Sequence, residues 1–221
     1  MTRALIPFWL AILVSALLIF RSVSAHGWIP TLTAEGLGLE MSTTLVHAAA
    51  AILLAATLSQ RGQIARFWPV AALVALFSLR ELDFNDWWFE PGLLEIELLF
   101  SDVPLWHKIV SVLAMIAVAF VILRVLFIGT MPLFRQRSEA WARIFPLIGL
   151  TIVASMTLDY PAKTAAQFGV TLSQAQIDAI VAVEESSEFL LALFVMLSIC
   201  LYRRGERAPA ARNAEISAGR A

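Results

Sequence analysis

The sequence predicts an all-α integral membrane protein, built as a bundle of six transmembrane helices. Of its 221 residues, 60% are hydrophobic and only 15% are charged, and the mean hydropathy is +0.80. Soluble domains are closer to half apolar and a quarter charged. No apolar stretch alternates with a period of two residues, so helices are the expected way of satisfying backbone polar groups in lipid.

Six apolar segments mark the predicted spans, since a crossing helix needs about 20 residues. They cover residues 4–20, 43–58, 67–83, 104–128, 141–158 and 177–202. We expect residues 1–205 to form one membrane domain and residues 206–221, rich in Arg, Ala and Gly, to form a disordered cytoplasmic tail. Ser173 and Gln176 have the spacing of a capping box and should begin the sixth helix.

The distribution of basic residues predicts the orientation. When the termini and loops are sorted into two alternating sets, one set holds twelve of the sixteen Lys and Arg residues and only three acids. The positive-inside rule then predicts a multi-pass protein of the cell membrane with both termini in the cytoplasm. The net charge of −1 does not indicate a nucleic-acid partner, so membrane lipids are the expected partners.

The first apolar segment has a second interpretation. Residues 23–25, Val-Ser-Ala, resemble a signal-peptidase site after a short, basic and apolar start. Arg21 lies between the apolar core and that site, which favours an uncleaved anchor. Cleavage after Ala25 would leave five helices, with His26 as the new N-terminus.

Ionisable residues of the predicted spans gather toward the outer ends of the helices. Such residues cost roughly 2.5–3.5 kcal/mol each on insertion scales and usually mark function. Glu188 is the deepest, and its spacing from Glu184 and Glu185 places it close to both on a helix. A carboxylate at that depth must be protonated, paired with a cation or bound to a metal, and Arg80 and Lys108 are candidate cations.

We therefore predict one polar site beneath the outer headgroups, formed by the second to sixth helices. Its predicted catalytic residues are Arg80, Glu81, Lys108, Glu184, Glu185 and Glu188, and its predicted metal ligands are His47, Asp83, His107 and Asp159. His and carboxylate side chains suit a divalent metal such as zinc with one position open for water. The predicted function is a metal-assisted hydrolase or transferase acting on a lipid or its headgroup, with a Glu as general base and Arg80 positioning a phosphate.

This arrangement of His and carboxylate residues within the membrane resembles the multi-helix hydrolases that include alkaline ceramidases and adiponectin receptors, which gather His, Asp and Ser residues in the membrane. The resemblance implies a metal-dependent lipid hydrolase. The chain departs from that family in having one predicted helix fewer and no His-x-x-x-His in a late helix. For that reason no residue role is carried over.

Three other interpretations remain open. In a structural or sensory subunit the polar cluster would only fix helix pairing, with Arg80 clamped to Glu184 or Glu188. In any of these interpretations Ser78 and Ser155, as serines within helices, are expected to bond back to their own backbone. In a proton- or cation-coupled carrier the buried Glu and Arg residues would form a relay. In a haem or quinone protein His47 and His107 would be axial ligands. The single cysteine, Cys200, excludes an intrachain disulfide.

Overall fold

The computed structural model describes residues 3–34, 36–82, 84, 92–135, 139–158 and 171–205. Every regular element within these ranges is helical, which confirms the predicted all-α class. The α-helices are α1 (Ile6–His26), α2 (Trp28–Thr33), α3 (Gly38–Gln60), α4 (Ile64–Glu81), α5 (Glu97–Phe100), α6 (Leu105–Arg135), α7 (Phe145–Leu158) and α8 (Gln174–Gly205), and 3-10 turns lie at Arg3–Leu5 and Ala142–Ile144.

Three described stretches are long and apolar enough to cross a membrane. They are Arg3–His26, which contains α1, Trp28–Gln60, which contains α2 and α3, and Leu105–Phe127 in α6. Ala142–Ser155 is also apolar but shorter. The chain is therefore suited to a membrane, while the complete set of six spans stays a prediction. The predicted tail, residues 206–221, lies outside the described residues.

The chain divides into two compact units, which are described separately. The first comprises Met1–Ala50 and Gln136–Ala221, and the second comprises Ala51–Arg135. Helices α1, α2, α7 and α8 belong to the first unit, and α4, α5 and α6 belong to the second. Helix α3 begins in the first unit and ends in the second.

Helix α8 is the centre of the first unit, and α1, α2 and α7 all pack on it. The Ser198 hydroxyl donates to the backbone oxygen of Trp141 over 3.2 Å, and the Trp141 ring meets Tyr202 edge-on at 5.6 Å. These contacts place the residues just before α7 beside the end of α8. The Cys200 thiol lies beside the backbone of Phe8, so the start of α1 is at the same end.

A buried polar junction follows α1, and the sequence did not predict it. Helix α1 ends at His26 and is capped by Gly27, after which the short α2 leads the chain into α3. The hydroxyls of Ser22 and Thr31 hydrogen-bond over 3.0 Å, and the Gly38 amide donates to Ser22 Oγ over 3.3 Å. Because a Cβ atom at Gly38 would lie 2.7 Å from the Ser22 Cβ and 2.8 Å from the Thr31 Cγ2, only glycine fits without displacement.

In the second unit a tight turn joins the end of α3 to the start of α4. The Gly62 amide donates to the Ser59 oxygen and the Gln63 amide to the Leu58 oxygen, which is the Schellman pattern at the end of a helix. Gly62 has a φ of 64°, a left-handed conformation that glycine adopts at little cost. Helix α4 then packs on α6, and α5 packs on α6 as well.

Helices α1 and α6 expose apolar side chains on most of their surface. Only 11% of the apolar window of each is buried. Phe20 of α1 is 72% exposed, and Phe127 of α6 is 76% exposed. Exposed apolar surface of this extent is typical of an interaction site or a membrane-facing surface, which agrees with the composition of the chain.

The predicted capping box at the start of α8 forms in part. The Ser173 amide donates to Gln176 Oε1 over 2.9 Å, which is the reciprocal half of the motif. The Ser173 hydroxyl also contacts Gln176 Oε1, at 2.9 Å, instead of binding an amide of the first turn.

Candidate functional site

The acidic residues of α8 lie well inside the helix. Glu188 is 5% exposed, and Glu184 and Glu185 are half-buried. Carboxylate oxygens of Glu185 and Glu188 lie within 4.8 Å of each other, as expected for positions three apart. Two charges at that separation repel by about 3 kcal/mol at an effective dielectric constant of 20. The pair therefore favours a cation close to both carboxylates.

Glu188 receives a hydrogen bond from the neighbouring helix of the same unit. The Ser155 hydroxyl of α7 donates to Glu188 Oε1 over 2.6 Å, and Ser155 is only 3% exposed. The sequence prediction that Ser155 bonds back to its own helix is therefore wrong. Thr151, one turn earlier, does bond to its own helix, through the backbone oxygens of Leu147 and Ile148. Ser155 thus links α7 to α8 at the acidic pair.

The other serines of the acidic segment are bonded within α8. Ser186 donates to the Ala182 oxygen over 2.6 Å, and Ser187 donates to the Glu184 oxygen over 2.7 Å. Because these two hydroxyls donate their hydrogen bonds to the backbone of α8, they do not donate to the Glu carboxylates.

His47 lies in the part of α3 that belongs to the first unit. It is 1% exposed, and it follows the buried Thr43 and Thr44 by one turn. The hydroxyl of Thr43 donates to the backbone of its own helix, at the Leu39 oxygen. His47 is therefore a deeply buried imidazole on a polar helix face, as a metal ligand or a hydrogen-bonded packing residue would be.

Four of the predicted site residues that the structure describes belong to the second unit. Arg80 Nη1 lies 3.8 Å from Glu81 Oε1, and the two side chains are 49% and 3% exposed. A pair with one partner this exposed contributes little stability, roughly 0–1 kcal/mol. His107 and Lys108 lie in the first turn of α6, where the His107 ring meets Trp106 edge-on at 3.8 Å.

Two predicted metal ligands, Asp83 and Asp159, lie outside the described residues. The prediction of one shared pocket for all ten site residues stays a prediction. Within the first unit, the structure brings together Glu185, Glu188 and Ser155. Ser155 is the residue whose role the sequence missed, because its position says nothing about which face of α7 meets α8.

The fold and this cluster define an all-helical protein, with helices able to cross a membrane and a buried polar contact between α7 and α8. No family model, no curated protein and no solved structure matches the chain.

Proposed function

We propose that the chain is a multi-pass protein of the cell membrane, with six spans and both termini in the cytoplasm. Clusters of aromatic and basic residues at the predicted inner ends support this orientation. In the first unit Trp141 contacts Tyr202, which directly precedes Arg203 and Arg204. Aromatic rings collect at membrane interfaces, and basic residues collect on the cytoplasmic side.

The proposed activity is a metal-assisted hydrolase or transferase acting on a lipid or its headgroup. The observation that carries it is the closeness of the Glu185 and Glu188 carboxylates, with Ser155 bonded to Glu188. Two carboxylates can hold a divalent ion such as zinc, and the role of His47 as a metal ligand stays a prediction. The donor set therefore fits the ion in chemical type.

Each residue of the cluster would have a separate role. Glu185 and Glu188 would hold the cation, and the Ser155 hydroxyl would fix the orientation of the Glu188 carboxylate, as outer hydrogen-bond donors do around metal ligands. Glu184, one turn from Glu188, would be the general base that accepts a proton from the attacking water. A bound divalent ion lowers the pKa of its water and polarises a carbonyl or phosphoryl oxygen. The roles of Arg80, Glu81, His107 and Lys108 stay predictions.

Metal analysis of the purified protein tests this proposal. We expect about one divalent ion per chain, lost after Glu188→Gln or Glu185→Gln because each removes an anionic ligand. Asp178→Asn is the matched control, since Asp178 also lies on α8 but accepts only a hydrogen bond from Gln174, over 2.8 Å. Absence of stoichiometric metal from the folded wild-type protein would contradict the metal role.

Activity requires a second measurement. Protein in vesicles of mixed phospholipids and sphingolipids should release a headgroup or an acyl chain, detectable by mass spectrometry, and a chelator should stop the release. If the protein binds metal but cleaves none of these lipids, the site only binds a cation and the proposed activity is wrong.

A structural role is the second candidate, and the Ser155–Glu188 hydrogen bond favours it. This bond joins α7 to α8 between two buried side chains. Glu188→Gln keeps an acceptor for Ser155 but removes the charge. If that variant is as stable as the wild type and has the same metal content and activity, the contact only joins the two helices.

A further inference from the structure

Trp68 of α4 meets Phe120 of α6, which Arg124 contacts, and Arg66 lies two residues before Trp68; we call these four residues the basic aromatic rim. The Trp68 and Phe120 rings stack with centroids 6.4 Å apart and planes inclined by 28°. The Arg124 guanidinium carbon lies 6.0 Å from the Phe120 centroid. The Arg66 guanidinium carbon lies 5.1 Å from the centroid of Phe67. Both arginines are thus held by rings and remain exposed to the surroundings.

The rim carries positive charge, and the sequence on either side of its residues contains no acid. The sequence contains no Asp or Glu between Glu40 and Glu81, and none between Asp102 and Glu139. Within the described part of the chain, Arg66 and Arg124 contact aromatic rings and form no ion pair. An arginine stays charged at any physiological pH. The rim therefore attracts an anion from outside the protein.

The position of Arg124 along α6 indicates the kind of anion. Arg124 is nineteen residues beyond Leu105, the first residue of α6, which corresponds to about 28 Å at 1.5 Å per residue. The hydrocarbon core of a bilayer is roughly 30 Å thick. When Leu105 lies at one surface, Arg124 lies at the level of the phosphates of the other leaflet.

We propose that the basic aromatic rim binds the phosphates of anionic phospholipids. A guanidinium donates two parallel hydrogen bonds to a phosphate, which favours arginine at such sites. Trp68 and Phe120, 40% and 51% exposed, offer apolar surface for the adjoining glycerol and acyl carbons. A net negative headgroup is preferred over a zwitterionic one because the choline charge opposes the two arginines. This surface is independent of the acidic cluster of α8.

Native mass spectrometry of the full chain, released from bilayer discs of equal phosphatidylglycerol and phosphatidylcholine, tests the proposal. We expect phosphatidylglycerol to be enriched among retained lipids. A basic residue at an anionic surface contributes about 1 kcal/mol, so each arginine accounts for about fivefold and both for about 30-fold in relative affinity. Arg66→Gln with Arg124→Gln should remove the enrichment, and Phe120→Leu should reduce it about twofold through loss of the cation–π contact.

Arg21→Gln is the matched control, because Arg21 is an exposed arginine of α1 and lies outside the rim. It should change the enrichment less than twofold, and circular dichroism should be the same for all variants. Equal retention of both lipids by the wild type, or equal loss in Arg21→Gln and the rim variants, would overturn the proposal. Displacement of the lipid by millimolar glycerol phosphate would also overturn it, since the site would then hold a soluble phosphate.

Discussion

Replacing Ser155 by Ala should loosen the packing of α7 on α8. The change removes one hydroxyl from a 2.6 Å hydrogen bond to Glu188, and both side chains are more than nine-tenths buried. Hydrogen bonds to charged groups contribute about 1.5–3 kcal/mol in soluble proteins. Measured bonds between membrane helices average about 0.6 kcal/mol and reach about 1.7 kcal/mol. We expect a loss near the upper membrane value, because no water replaces the hydroxyl at a buried site.

Ser187→Ala supplies the comparison that isolates this bond. Ser187 is also buried, at 8% exposure, but its hydroxyl donates to the Glu184 oxygen of its own helix. Both variants gain the same helix propensity, about 0.5 kcal/mol for Ser to Ala, so their difference reports the contact between helices. The free energy of unfolding should be measured for both by titration with sodium dodecyl sulfate in mixed micelles.

A double-mutant cycle with Glu188→Gln completes the measurement. Ser155→Ala should cost less in the Glu188→Gln background, because the acceptor left behind is neutral and its desolvation is less costly. The reasoning is refuted if Ser155→Ala and Ser187→Ala differ by less than about 0.3 kcal/mol, since even the weaker bonds between membrane helices exceed that value.

Two further changes test other contacts of the first unit. Gly38→Ala should destabilise the protein by about 1–3 kcal/mol, because its Cβ would overlap Ser22 and Thr31. Its control is Gly149→Ala, whose Cβ meets no atom within 4 Å and which should stabilise α7 by up to about 1 kcal/mol. Equal thermal stability of the two variants would contradict this packing. Glu185→Gln should weaken binding of added Zn²⁺ at least about tenfold in isothermal titration calorimetry if Glu185 is a ligand, and unchanged affinity would exclude it as a ligand.

The helices could be predicted from the sequence because apolar runs and their end signals are local. Each predicted span overlaps a helix, and α8, at Gln174–Gly205, begins directly after the predicted Ser173 cap. The junction of Ser22 with Gly38 could not be predicted in this way, because it depends on how the chain turns after α1. The Ser155–Glu188 bond could not be predicted either, because the two residues are 33 apart in the sequence. Their contact depends on the register of α7 against α8.

The helices that do not qualify as spans by length and composition carry five of the eight predicted site residues that the structure describes. Helix α4 ends in Arg80 and Glu81, and α8 has Glu184, Glu185 and Glu188 in its interior. Helix α7 has 14 residues and would extend only about 21 Å. The preceding 3-10 turn at Ala142–Ile144 adds about 6 Å, which brings the total close to a hydrocarbon core of roughly 30 Å. The 3-10 turn and α7 together are therefore long enough to cross a bilayer, and this crossing can be tested directly.

Labelling with a membrane-impermeant maleimide decides this crossing, because Glu139 and Ser173 are exposed residues on either side of α7. The native cysteine, Cys200, is buried, and Cys200→Ala provides the background. In intact cells Ser173→Cys should be labelled and Glu139→Cys protected until the membrane is permeabilised. Labelling of both positions in intact cells, or of neither, would place the two ends of α7 on one side of the membrane. The same result would remove the fifth span and, with it, the assignment of the α8 carboxylates to the outer half of the bilayer.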